Sequence, residues 1–111
     1  MSFNNYQNKI IAIDFDGCLV VDQFPLIGEP NEKLIKLVSQ WRENGCQIIL
    51  WTCRNGAALD NAVGWCASRG IKFDAVNENL ESVKALYGGD TRKIFADVYI
   101  DDKSRKWRFT K

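Results

Sequence analysis

Apolar and polar positions come in blocks along this chain. Lys9 to Phe15 is an Ile-rich run ending in acid, the pattern of a buried central strand. Pro30 to Asn44 reads as a helix. Pro30 suits a first turn, Leu34, Leu37, Val38 and Trp41 repeat as one apolar stripe, and Gly45 follows as a stop. Cys46 to Thr52 is a second continuous apolar strand. Ala57 to Arg69 is a second helix, with Leu59, Ala62, Val63 and Cys66 turned inward and Gly70 ending it. Ile71 to Val76 is a third, short strand. Asn79 is placed to cap a short helix running to Tyr87 and closed by Gly88-Gly89. Asp97 to Asp101 is the fourth strand, and Trp107 to Thr110 a candidate fifth.

Strands that alternate with helices, and that are apolar throughout, imply a parallel sheet covered on both faces. The expected fold is therefore α/β, a three-layer, doubly wound, Rossmann-like sheet of about five strands. With 111 residues and neither a repeat nor a linker, residues 1–111 are expected to form one domain. Ligands bind such sheets at the carboxyl ends of the strands. That is where the polar residues need to be read.

Composition narrows the chemistry. The 15 basic and 14 acidic residues nearly cancel, which favours neither a nucleic-acid coat nor a membrane-surface protein. No apolar run reaches the length of a membrane span, and no N-terminal signal pattern appears. There is no histidine, which removes histidine-assisted triads and makes a Cys/His zinc site improbable. The four cysteines (Cys18, Cys46, Cys53 and Cys66) include no CxxC pair and read as reduced thiols of a cytoplasmic protein.

At the strand ends the polar residues are of a consistent kind. The first strand delivers Asp14 and Asp16, the second ends in Thr52, and the fourth ends in Asp101-Asp102 with Lys93 just before it. Clustered carboxylates repel unless a cation intervenes, and oxygen-only ligands favour Mg2+. This set suits phosphoryl transfer. Asp14 attacks phosphorus and Asp16 handles the leaving-group proton, while Thr52 and Lys93 compensate phosphoryl charge. Lys84, Arg92 and Lys103 are neighbouring alternatives to Lys93. Cys53 and Arg54 follow Thr52 as candidate substrate contacts, although Arg54 could equally cap the second helix or pair with an acid.

These same residues resemble the haloacid dehalogenase (HAD) superfamily. Asp14-Phe15-Asp16-Gly17-Cys18 is similar to its first motif, Leu50-Trp51-Thr52 to the second, Lys93 to the third and Tyr99-Ile100-Asp101-Asp102 to the fourth. The resemblance implies an HAD-like core and a phosphate monoester hydrolase working through an aspartyl-phosphate. It also implies magnesium held by Asp14, the Asp16 carbonyl and Asp101, with Asp102 a ligand or its neighbour. Family members commonly insert a cap domain. Here Cys18 to Glu29 and Asn77 to Asn79 are too short for one, so a capless phosphatase is expected.

The substrate is left open. It is a phosphorylated small molecule or macromolecule, with a nucleic-acid end admissible but not favoured. Water exclusion falls to the apolar stretch Phe24 to Ile27, to a second subunit of a homo-oligomer, or to the substrate. The four tryptophans read as core and edge packing, and Lys103 to Lys111 as a charged edge. A different class of reading is a phospho-accepting module resembling a receiver domain, against which Asp16 and the position of Lys93 before Asp101 both speak.

Overall fold

A computed structural model of the protein describes residues 6–101 and 108–109. Its centre is strand β1 (Ile10–Ile13), which is followed by a hairpin of β2 (Val20–Gln23) and β3 (Leu26–Pro30). Helix α1 (Glu32–Glu43), strand β4 (Gln47–Leu50), helix α2 (Gly56–Ser68) and strand β5 (Ala75–Val76) come next. Helix α3 (Glu81–Tyr87) and strands β6 (Val98–Ile100) and β7 (Arg108–Phe109) complete the order.

The main sheet runs β5-β4-β1-β6-β7. Four strands are parallel, and β7 pairs antiparallel with β6 at the edge. The fifth strand therefore exists, but it does not extend a parallel sheet.

Register and side-chain alternation decide what each face buries. Ile11 pairs with Ile48 and Ile13 with Leu50, and all four pack with Leu34, Leu37, Val38 and Trp41 of α1 and with Ala62 and Cys66 of α2. The intervening pair, Ala12 and Ile49, joins the opposite cluster with Leu80, Val83, Ile94 and Ala96. Successive strand residues point to opposite faces, so this split is what period two requires. Helices thus flank both faces of a mixed α/β sheet. Trp41, fully buried, is the largest side chain of the first cluster, and truncating it to Ala would cost ~3–5 kcal/mol.

Three expectations change. Pro30 closes β3 rather than opening the helix; Asn31 is the cap, its Oδ1 accepting the Leu34 N–H at 3.2 Å. The expected third strand is reduced to Ala75–Val76, because the Asp74 carboxylate takes the Ile48 N–H at 2.7 Å in place of a strand carbonyl. Asp97 does the same at the start of β6, accepting the Ile10 N–H at 2.8 Å. Asn79 does not cap α3; Leu80 occupies that position, and Asn79 is buried beneath the following loop. The segment from Cys18, too short for a cap domain, holds a β-hairpin that the residue pattern did not predict. Its strands approach so closely at Gly28 that a Cβ there would lie 2.1 Å from the Val21 carbonyl oxygen.

No helix among the described residues is long and apolar enough to cross a membrane.

Candidate active site

The carboxyl ends of β1 and β6 lie side by side. Ile13 pairs with Ile100, and the Asp14 N–H continues the ladder to the Ile100 carbonyl at 2.9 Å. Asp14 and Asp101 therefore follow neighbouring strands, about one inter-strand spacing (~4.8 Å) apart at the backbone. One Asp14 oxygen accepts the Phe15 N–H at 2.7 Å, which fixes the carboxylate. The chain then turns at Gly17, whose φ of 83° is a left-handed conformation that favours glycine.

This turn also frees a carbonyl. Asp16 bridges to Val20 in parallel, through the Val20 N–H to the Phe15 carbonyl at 3.2 Å and the Gly17 N–H to the Val20 carbonyl at 2.8 Å. Those bonds use the groups flanking Asp16, so its own carbonyl stands outside the ladder.

Thr52 closes the third side, just beyond β4. Its N–H donates to the Asn77 side chain at 2.8 Å, and its hydroxyl accepts the Arg54 N–H at 3.2 Å. The hydroxyl hydrogen is left to donate elsewhere.

Arg54 is the feature around which the site is built. It is 2 % exposed. Its Nε and Nη2 grip the two oxygens of Asp16, each at 2.8 Å. Nη2 also donates to the Leu26 carbonyl at 2.9 Å, while Nη1 donates to the carbonyls of Ala58 at 3.1 Å and Pro25 at 3.3 Å. A guanidinium has five N–H donors, and all five are used. The rings of Phe15 and Phe24 lie 4.9 and 5.1 Å from its central carbon. Its pKa is raised, first by the hydrogen bonds to Asp16, so the group stays cationic. One side chain thus ties the hairpin, α2 and Asp16 together.

These residues line one cavity of about 700 Å³: Asp14, Asp16, Asp22, Phe24, Trp51, Thr52, Cys53, Arg54 and Asp101. Asp14, Asp16, Thr52, Cys53, Arg54 and Asp101 are brought together as expected. Of the readings offered for Arg54, pairing with an acid is the one its geometry matches; its guanidinium N–H groups are all engaged within the protein rather than offered to a substrate. Lys93 is not among the residues that line this cavity; it lines another of about 280 Å³ with Tyr87, Thr91, Phe95, Ala96, Asp97 and Tyr99. The backbone there is tied to the turn before α3, where Asn79 Nδ2 donates to the Lys93 carbonyl at 3.3 Å. Asp102 lies outside the described residues.

Asp22 and Trp51 escaped sequence reasoning as site residues, whereas Phe24, expected beside the site as part of the apolar stretch Phe24 to Ile27, does line the cavity. Asp22 and Phe24 arrive on the hairpin; the short-range signal was Phe24-Pro25 between two short apolar stretches. Trp51, expected in the packing, is 41 % exposed and tilts against Tyr99 with ring centroids 5.3 Å apart.

Among the described residues, no three acidic or cysteine side chains stand close enough together to hold a metal ion. Asp16 turns instead to Arg54. The remaining oxygens still suit a hard divalent cation, because magnesium commonly takes only one or two protein carboxylates. Asp14, Asp101 and the outlying Asp16 carbonyl supply such donors.

No protein-family model matches the chain, and no curated protein matches it. Among solved structures, it is similar to a conserved protein coded by a locus from Bacteroides thetaiotaomicron. The two share 35% identity over 87% of this chain and 78% of that one, with a TM-score of 0.78. At that identity and coverage, the chain belongs to the same family as this conserved Bacteroides thetaiotaomicron protein.

Proposed function

We propose that the protein is a magnesium-dependent phosphate monoester hydrolase of HAD type, a doubly wound core without a cap domain, acting in the cytoplasm. The observation that carries this reading is the meeting of Asp14, Asp101 and Thr52 at adjacent strand ends in one cavity, with Asp16 held beside them. The motif resemblance supports it independently of the geometry.

In this reading an Asp14 carboxylate oxygen attacks phosphorus and the ester P–O bond breaks. Asp16 delivers a proton to the departing alkoxide. Water then attacks the aspartyl-phosphate, Asp16 takes a proton from it, and the bond from phosphorus to Asp14 breaks to release inorganic phosphate. Each Asp16 oxygen has a second lone pair beyond the one that accepts from Arg54, so proton transfer does not require the pair to separate. Thr52 donates its hydroxyl to a phosphoryl oxygen. Asp14, Asp101 and the Asp16 carbonyl would hold magnesium, which would supply charge neutralisation for the carboxylates and the incoming phosphate. The role first given to Lys93 passes to the cation and Thr52, because Lys93 lines the other cavity.

The test is phosphate release from a panel of phosphate monoesters, with magnesium and then with a chelator. Turnover is expected with magnesium only, and Asp14→Asn should reduce it to background. Asp14→Asn turning over at the normal rate would remove Asp14 as nucleophile. For Asp16→Asn the expected loss is ~10²–10⁴-fold, the usual contribution of general acid–base catalysis. Tight beryllofluoride binding without turnover would instead favour a receiver-like module.

A further inference from the structure

Beyond the phosphate, the cavity has to recognise whatever the phosphate is attached to. Its described lining carries four carboxylates (Asp14, Asp16, Asp22 and Asp101) and a single cation, Arg54, whose five N–H groups are already engaged. Charge and guanidinium hydrogen bonding are thus committed before any substrate enters. Two aromatic rings still present open surface to the cavity. Phe24 is 58 % exposed and Trp51 41 % exposed, and both line the cavity.

Neither ring is loose. Phe24 rests against the Arg54 guanidinium, and Trp51 is backed by Tyr99. An exposed ring held from behind is a ready stacking surface, since little rotamer freedom remains to be lost on binding. The volume of about 700 Å³ also exceeds what a phosphoryl group needs, and lies within the ~300–1,000 Å³ typical of small-molecule sites.

We infer that the preferred substrates are phosphate monoesters whose leaving alcohol carries a flat aromatic group, such as a nucleoside, which stacks on Trp51 and Phe24. This rests on the phosphatase reading above, and the experiment separates the two.

Adenosine 5′-monophosphate and ribose 5-phosphate share the same leaving oxygen and differ in the base. The expected kcat/KM ratio in favour of the nucleotide is about tenfold or more, the scale of one base–aromatic stack. Trp51→Ala and Phe24→Ala should each lower that ratio, whereas Trp51→Phe, which keeps a ring, should preserve most of it. A parallel measurement with 2-phenylethyl phosphate separates a nucleobase from a simpler arene.

Equal turnover of nucleotide and sugar phosphate would overturn the inference and leave the phosphatase reading standing. Calorimetric titration of Asp14→Asn with the same two ligands covers the other case. Tighter binding of the nucleotide without any turnover by the unmutated protein would retain the aromatic site and remove the phosphatase. Equal or absent binding of both ligands would remove the aromatic site.

Discussion

Two polar side chains are buried among the described residues, Arg54 at 2 % exposure and Asn79 at 1 %, and each organises a loop. Arg54 binds one carboxylate, Asp16, and three carbonyls, and it fastens a hairpin to the mouth of the cavity. Asn79 is a neutral counterpart on the α3 side. Its amide group donates to the Asp90 carboxylate at 2.9 Å, to Thr91 Oγ1 at 3.1 Å and to the Lys93 carbonyl, while its oxygen accepts the Phe95 N–H at 2.7 Å. Both satisfy the rule that a buried polar group must be bonded. They differ in what is bonded. The partner of Arg54 is a carboxylate of the candidate site, so structure and chemistry share one side chain. The partners of Asn79 belong to a connecting loop, so there structure stands alone.

That difference can be broken most visibly at Arg54. Arg54→Ala strands Asp16 and three carbonyls, and a loss of ~3–5 kcal/mol in denaturant unfolding is expected, the cost of breaking a buried ion pair. Misplacing Asp16 should also lower the proposed phosphatase turnover by about 10²-fold. Arg54→Lys should recover little of either, because an ammonium cannot reproduce the planar fork on Asp16. Full recovery by lysine would show that charge, not geometry, matters at this position.

Asn79→Ala should be costly in one respect only. Leaving the loop groups unsatisfied is expected to cost about 1–3 kcal/mol in unfolding experiments, with magnesium-dependent turnover of the folded protein unchanged. A parallel loss of turnover would mean that the loop from Gly88 to Asp97 steers the end of β6, and the two regions would no longer be separable.

The smallest effect is a pH dependence confined to the Asn79 side. The Asp90 carboxyl lies below the usual carboxylate range, first because the Asn79 side chain donates to it and then because the Asn79 N–H does. A depressed folded-state pKa contributes stability above the unfolded-state value, and that contribution is lost as pH falls through the folded one. The stability difference between the unmutated protein and Asp90→Asn, followed by denaturant midpoints, should therefore shrink as the solution is acidified below the usual carboxylate range. A difference that grew in acid would contradict this assignment.

Much of the frame was legible in the residue order. The Ile-rich run before Asp14, the stripe from Leu34 to Trp41 and the stops at Gly45 and Gly70 are local signals, set by side-chain period and backbone freedom. They located β1, β4, α1 and α2 to within a few residues. Where a side chain replaced a backbone partner, locality failed. Asp74 and Asp97 end ladders with their carboxylates, which shortens strands that apolar content alone would extend. Asn79 looked like a cap because it precedes a helix, but its bonds run forward to residues 11 to 16 positions later.

The candidate site divides in the same way. Asp14, Asp16, Thr52 and Asp101 could be assigned to strand ends from sequence, because a parallel sheet sends every carboxyl end to one rim. Which cation meets them could not. Lys93 and Arg54 are both basic and both near a motif, and only tertiary contacts send Lys93 to the neighbouring cavity and close Arg54 around Asp16. The partner carboxylate lies 38 positions before Arg54, and the hairpin carbonyls 28 and 29 positions before it. Residue period carries no information over such distances. The order of the residues determined the strand ends and the chemistry they offer. The folded chain decided which charges meet there, because pairing depends on distance in space rather than distance along the chain.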